Sequence, residues 1–250
     1  MRIAIVAVTR EGRKIAKIVN SGFPGKSKLY CLSKGRIKNL LDKIFDKDKF
    51  EGIVFIMALG IVARLIAPHL KNKYLDPAVV AIDRVGRFVI SVVSGHAGGA
   101  NKLAIEIGNI LYAEPVITTG SHARKNIIIG TGCRRGIKKE EIVKGIKYAV
   151  AKTKSSLNNV RYIATIDMKK NESGLKKACV ELGIPLRIIP IDAIGNFKGS
   201  YKRSSFVKKK IGIEGVSEPC ALLAGRKTKL ILSKAKVGRV TVAVARESSI

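Results

Sequence analysis

The sequence predicts an α/β protein: two layered α/β domains with mixed, mostly parallel sheets. Three observations predict it. Short β-branched or apolar runs alternate along the chain with stretches whose apolar residues recur at helical spacing. That alternation breaks once, over residues 118–126, where Gly120, Ser121, His122, Arg124 and Lys125 interrupt the apolar pattern. The 250 residues suffice for two cores of ordinary domain size. Domains are therefore expected over residues 1–120 and 126–250, with a ligand-sized cleft between them.

The run Met1-Arg2-Ile3-Ala4-Ile5-Val6-Ala7-Val8 is too short for a signal peptide and has no small-residue cleavage site, so it reads as a first strand over 2–8. Further strands are expected near 28–32, 52–57, 78–82, 87–93 and 115–118, with helices near 10–20, 35–46, 60–67 and 99–111. Residues 79–83 and 87–93, parted by Arg84-Val85-Gly86, read as a hairpin, which makes the first sheet mixed. In the second half, strands are expected at 127–131, 161–166, 186–189, 228–233 and 239–245, and helices at 138–152, 171–182 and 218–224. Pro219 suits the first turn of the last of these helices.

Hydrophobic residues make up 46% and charged ones 26%, the balance of a globular soluble chain, and no apolar run is long enough to cross a bilayer. No membrane partner is expected. Cys31, Cys133, Cys179 and Cys220 lie far apart without paired spacing, so neither a zinc site nor a disulfide framework is indicated, and the cytoplasm is the expected compartment. Lys and Arg number 48 against 18 Asp and Glu, a net charge of +30, divided as +12 up to residue 125 and +18 beyond it. Most of the lysines, such as Lys138, Lys139, Lys144 and Lys147, read as solvated helix faces; Lys202-Arg203 and Lys208-Lys209-Lys210 are the densest basic patches. With no Trp, 5% aromatics and no nucleic-acid motif, no specific nucleic-acid partner is expected, only weak, salt-sensitive adsorption of polyanions.

The stretch Ser94-Gly95-His96-Ala97-Gly98-Gly99-Ala100-Asn101 puts an imidazole and a glycine-rich backbone between an apolar strand and a helix. In open parallel sheets, ligands bind beyond the carboxyl ends of strands, beside helix N-termini whose N–H groups attract anions. His96 is thus a candidate general base, with Ser94 and Asn101 to orient it or the substrate, and Gly98 and Gly99 to admit an anion to the backbone. The other reading is a tight turn in which the glycines give clearance and His96 braces the loop.

The chain also resembles, in the order and spacing of its motifs, the CbiG family of cobalamin biosynthesis. Gly60-Ile61-Val62-Ala63-Arg64, Asp76-Pro77-Ala78-Val79-Val80 and the Ser94 to Asn101 stretch resemble the family's amino-terminal part. Gly130-Thr131-Gly132-Cys133-Arg134-Arg135-Gly136, Ala164-Thr165-Ile166-Asp167 with Lys169 and Glu172, Val216-Ser217-Glu218-Pro219-Cys220-Ala221, and Val240-Thr241-Val242-Ala243-Val244-Ala245 resemble its carboxyl-terminal domain. Typical members carry a segment between the two parts that the short 118–126 connection replaces here.

The resemblance implies a cobalt-precorrin-5A hydrolase, a carbon–carbon bond hydrolase of corrin-ring synthesis. It would open the substrate's lactone and release acetaldehyde to give cobalt-precorrin-5B. The implied partners are this anionic tetrapyrrole and neighbouring corrin-pathway enzymes; cobalt arrives with the substrate, so no cofactor or protein-bound metal is implied. A non-catalytic tetrapyrrole carrier of the same pathway is the alternative. Glu218 becomes the candidate acid, although an acidic residue before Pro is also a common helix cap. Arg134 and Arg135, at a strand's carboxyl end, suit bidentate binding of substrate carboxylates. Arg64 and Asp76 join as binding candidates through their motifs; on their own they read as a surface Arg and a turn former. Cys133 reads as a small packed residue, and Asp167, Lys169 and Glu172 as either a second polar cluster or ordinary helix-start residues.

Overall fold

Residues 3–7 of the first strand, β1 (Arg2–Ala7), are fully buried, because helices cover both faces of the sheet that contains it. Alternation sends Ile3, Ile5 and Ala7 into one core with α1 (Arg10–Gly22) and α4 (Ala100–Leu111). Ala4 and Val6 enter the other, with α2 (Lys38–Ile44) and α3 (Leu59–Ile66). The computed structural model describes residues 1–32, 37–46 and 48–248 and divides into two units, Met1–Thr119 and Gly120–Ile250.

The first unit adds β2 (Lys26–Cys31), β3 (Gly52–Ile56), β4 (Ala78–Ile82), β5 (Phe88–Val93) and β6 (Glu114–Val116), in the order β2-β1-β3-β4-β5-β6. The first four strands are parallel, while β5 runs against β4 and β6 runs with β5. Asp83 makes the β4–β5 hairpin: its Oδ1 accepts the N–H groups of Arg87 (2.7 Å) and Phe88 (2.8 Å), and Gly86 supplies the left-handed turn residue at φ 74°.

In the second unit, α5 (Gly120–Ala123) precedes β7 (Ile127–Cys133), α6 (Lys139–Lys152), β8 (Val160–Ile166), α7 (Ser173–Leu182) and β9 (Leu186–Ile189). Then follow α8 (Ile191–Gly195), α9 (Ser205–Ile211), α10 (Ser217–Leu223), β10 (Thr228–Val237) and β11 (Val240–Glu247). The sheet order is β10-β11-β7-β8-β9, with β7, β8 and β9 parallel and β11 antiparallel to both β7 and β10. Helices α6 and α7 cover the face bearing Ile127 and Ile129. On the other face α10 approaches β7 so closely that a Cβ on Gly130 would collide with the carbonyl oxygen of Ser217 and lie 2.7 Å from the nitrogen of Ala221.

Both sheets are mixed α/β sheets, as expected; the first is mostly parallel, while the second divides evenly between parallel and antiparallel pairings because β10 and β11 form a hairpin beside β7. The helix expected at 35–46 is Lys38–Ile44, with positions 35 and 36 outside the described residues. Strand β7 runs two residues past its expected end, and β10 continues to Val237 through register irregularities between Leu230 and Ala235. The short helices α5, α8 and α9 were not expected, since 4, 5 and 7 residues hold too few turns to display a 3.6-residue period.

Candidate functional site

Because β5 runs against β4, pairing Val93 with Val79, the loop after β5 lies at the sheet edge where β4 begins. His96 thus follows the carboxyl end of its own strand, as expected, but at the end of the sheet opposite the carboxyl ends of β1, β3 and β4. The turn is closed from within: the Ser94 carbonyl accepts the N–H groups of Gly98 (3.0 Å) and Ala100 (3.2 Å), and the Gly95 carbonyl accepts that of Asn101 (3.0 Å). A Cβ on Gly98 would overlap the Ser94 side chain, and Gly99 sits at φ 88°, so both glycines are required by the turn itself. The N–H groups of His96 and Ala97 meet no acceptor among the described residues, and His96 is exposed.

The neighbours expected to orient His96 are engaged elsewhere. Ser94 is buried, holds φ 57°, and donates its hydroxyl to the Asp76 carbonyl at 3.2 Å. Asn101 accepts from the Ser91 hydroxyl (2.8 Å) and donates to Thr119 Oγ1 (2.9 Å), which ties β5 to the end of the unit. Asp76, 6% exposed, accepts the Lys71 N–H at 2.8 Å and braces the loop before β4. Ser94 and Asp76 thus brace the loops on either side, and Asn101 ties β5 to the end of the unit. Arg64 lies exposed in the last turn of α3, with no ion-pair partner among the described residues.

In the second unit the carboxyl ends of β7, β8 and β9 gather the motif residues at one edge. Glu172 accepts the Gly136 N–H at 3.0 Å and pairs with Lys169 at 3.5 Å, both side chains being largely buried. Asp167, directly after β8, accepts the Met168 N–H at 2.8 Å and reaches the Ile191 N–H after β9 at 3.4 Å. Beside them Arg134 and Arg135 are exposed, with no carboxylate or carbonyl partner among the described residues. Burial is the main reason that the Cys133 thiol is pushed up to about 11, so it stays protonated at neutral pH and is no thiolate nucleophile. This edge presents two exposed guanidinium groups, the chemistry that grips carboxylates in bidentate fashion.

Glu218 is 2% exposed, and its two oxygens accept the N–H groups of Lys202 (2.5 Å) and Lys234 (2.6 Å). A buried carboxylate held by two main-chain donors fastens the segment before α9, and the irregular part of β10, to α10. His69 stacks on Phe45 and faces Asp42 at 3.4 Å. His122 lies against Tyr162, its Nε2 buried without a partner, and desolvation, aided by Arg161 and Lys125, lowers it to about 4. The basic patch around α9 is partly neutralised, because Glu214 pairs with both Lys208 (3.0 Å) and Arg203 (3.1 Å). A feature unforeseen from the sequence is a groove lined by Arg2, Lys28, Tyr30, Lys43, Lys49 and Phe50, of which only the same-face spacing of Lys28 and Tyr30 gave a signal. No helix among the described residues is long and apolar enough to cross a membrane.

Residues 39–122 match the family model described as cobalamin synthesis G N-terminal, and residues 127–245 match cobalamin synthesis G C-terminus. The cobalt-precorrin-5A hydrolase of Priestia megaterium is 28% identical over a 355-residue alignment that covers 97% of this chain and 94% of that protein. The probable cobalt-precorrin-5A hydrolase of Methanocaldococcus jannaschii is 26% identical over 329 residues, covering 99% of this chain and 100% of that protein. The cobalt-precorrin-5A hydrolase of Salmonella typhimurium is 45% identical over 82 residues, 33% of this chain and 23% of that protein. The first two alignments are longer than the 250 residues of this chain, so those relatives carry segments that it lacks. With the two models following one another over most of its length, the chain belongs to the cobalamin synthesis G family.

Proposed function

We propose that the protein is a cobalt-precorrin-5A hydrolase of cobalamin biosynthesis, acting in the cytoplasm on a substrate that brings its own cobalt. Family membership and the names of the relatives support the reaction. The observation on the molecule that carries it is the edge formed by β7 and β8. There the exposed Arg134 and Arg135 stand beside the Lys169–Glu172 pair, a cationic surface fitted to the carboxylate arms of a tetrapyrrole.

In this proposal His96 takes a proton from water, which attacks the lactone carbonyl; the acyl C–O bond breaks and leaves a carboxylate and a free hydroxyl. Loss of the hydroxyl proton lets the oxygen form a carbonyl as the adjacent C–C bond breaks. The electron pair remains on the macrocycle carbon, which is protonated, and acetaldehyde departs. Arg64 remains a binding candidate, exposed and without an ion-pair partner among the described residues. Gly98 and Gly99 shape the turn that presents His96 and the open N–H groups of His96 and Ala97. Neighbouring corrin-pathway enzymes are the proposed protein partners, and nucleic acid is proposed to adsorb only through charge.

A carrier without turnover is the second reading, favoured by the segments that the relatives have and this chain lacks. Incubation of the purified protein with cobalt-precorrin-5A separates the two. Stoichiometry-exceeding acetaldehyde release supports the hydrolase, tight binding without release supports the carrier, and neither binding nor release overturns both.

A further inference from the structure

Strand β2 lies at the edge of the first sheet, and its Lys28 and Tyr30 project to the face that carries α2. Phe50, just before β3, packs into the same core and meets Tyr30 edge-on, with ring centroids 6.2 Å apart and planes at 75°. Together with Arg2 at the start of β1, Lys43 in the last turn of α2, and Lys49, these residues enclose a groove of ≈ 430 Å³. Each of its six lining residues is thus a cation or an aromatic.

One carboxylate neutralises part of this charge, Asp46 pairing with Lys49 at 2.9 Å; the Arg2 guanidinium donates to a neutral acceptor, the main-chain carbonyl of Asp48, at 2.5 Å. Lys28 has its ammonium 5.5 Å from the Tyr30 ring centre, and neither Lys28 nor Lys43 has a carboxylate partner among the described residues. Converging like charges raise the energy of an empty groove and lower it for a multivalent anion, while the two rings offer apolar contact to a flat ligand. The volume lies in the range of small-molecule sites, roughly 300–1,000 Å³.

We propose that this groove is a binding site for a flat polyanion: a planar ring system that carries at least two phosphate or carboxylate groups. Arg2, Lys28 and Tyr30 precede residue 39, where the match to the amino-terminal family model begins, while Lys43, Lys49 and Phe50 lie within it. It stands independently of the hydrolase reading, which rests on other residues.

The test titrates the full chain by calorimetry with three probes. ATP bears the phosphates on a ring, the octacarboxylate uroporphyrin bears carboxylates on a ring, and inorganic triphosphate has charge and no ring. At least one ring-bearing probe is expected to bind, more tightly than triphosphate, and which one it is identifies the anionic group. Lys28→Glu with Lys43→Glu should weaken that binding about 10-fold or more, both side chains being exposed and removable without loss of core. Tyr30→Leu should weaken the ring-bearing probe alone. Lys144→Glu, an exposed change on α6, should leave binding unaltered. An Arg134→Ala, Arg135→Ala background removes uroporphyrin bound at the other cationic edge and should preserve sensitivity to Lys28 and Lys43. The proposal is overturned by failure of both ring-bearing probes to bind, by binding indifferent to the Lys28 and Lys43 changes, by an equal loss in Lys144→Glu, or by triphosphate binding as tightly as the others.

Discussion

Glu218 and Lys234 are joined by a hydrogen bond of 2.6 Å from the main-chain N–H of Lys234, and the second oxygen of the same buried carboxylate takes the N–H of Lys202 at 2.5 Å. Replacing one oxygen by an amide would set donor against donor at one of these contacts. Glu218→Gln is expected to cost about 2 to 3 kcal/mol of stability, read as a fall in the urea midpoint at constant slope. Turnover per folded molecule should be retained. A large loss of turnover with unchanged stability would restore Glu218 as an acid.

That role was not legible in the sequence, because both donors lie 16 residues from Glu218, on segments with no shared periodicity. The strands were legible for the opposite reason: runs such as Ile3 to Ala7 and Ile53 to Ile56 are buried on both faces and spell out continuous apolar stretches. The hairpin at Asp83 was legible too. Its consequence, that β5 is reversed and carries His96 away from the carboxyl ends of β1, β3 and β4, follows only when the strand order is known. The rule for parallel strands did apply at Arg134 and Arg135, since β7 and β8 are parallel neighbours.

Gly130 is where the sheet admits α10. Gly130→Ala should destabilise the protein by about 1 to 3 kcal/mol or more, since the added methyl meets main-chain atoms that cannot rotate away. Gly195→Ala, which meets no atom within 4 Å in α8, is the control and should leave the melting temperature equal or slightly raised.

His122 predicts a pH dependence. Its folded-state value of about 4 lies below the ordinary 6.5, chiefly because desolvation disfavours the imidazolium, with Arg161 and Lys125 adding repulsion. The unfolded chain therefore binds the extra proton first, and the stability due to the neutral ring is full above 6.5 and lost as pH falls from 6.5 towards 4. Allowing for the partial exposure of the ring, the loss between pH 7 and pH 5 should be about 1 kcal/mol. His122→Phe, which keeps a ring against Tyr162, should remove that increment from the difference between urea midpoints at the two pH values. An identical difference in wild type and variant would contradict the assignment.

Arg134 and Arg135 are proposed to act on binding. Arg134→Ala and Arg135→Ala should each weaken tetrapyrrole affinity about 10-fold, with the melting temperature unchanged because both side chains are exposed and have no ion-pair partner among the described residues. Lys at either position should recover only part of the loss, for an ammonium cannot grip a carboxylate with two parallel N–H groups. Unaltered affinity in the doubly substituted protein would move the carboxylate site elsewhere.

His96 carries the most demanding prediction, because its setting has been stripped of the expected helpers. Ser94, Asp76 and Asn101 are committed to the turn and its anchors, so the proposed role leaves the imidazole without them on the exposed crest of a loop whose glycines are fixed by geometry. His96→Gln should leave folding and ligand affinity intact and lower acetaldehyde release roughly 100- to 10,000-fold, the usual contribution of a general base. The fall should appear in kcat and not in KM. Near-normal release by the variant would leave His96 as an exposed loop residue. The search for the base would then pass to Glu172, whose carboxylate meets Lys169 at 3.5 Å beside the arginines, with Glu172→Gln assayed by the same release of acetaldehyde.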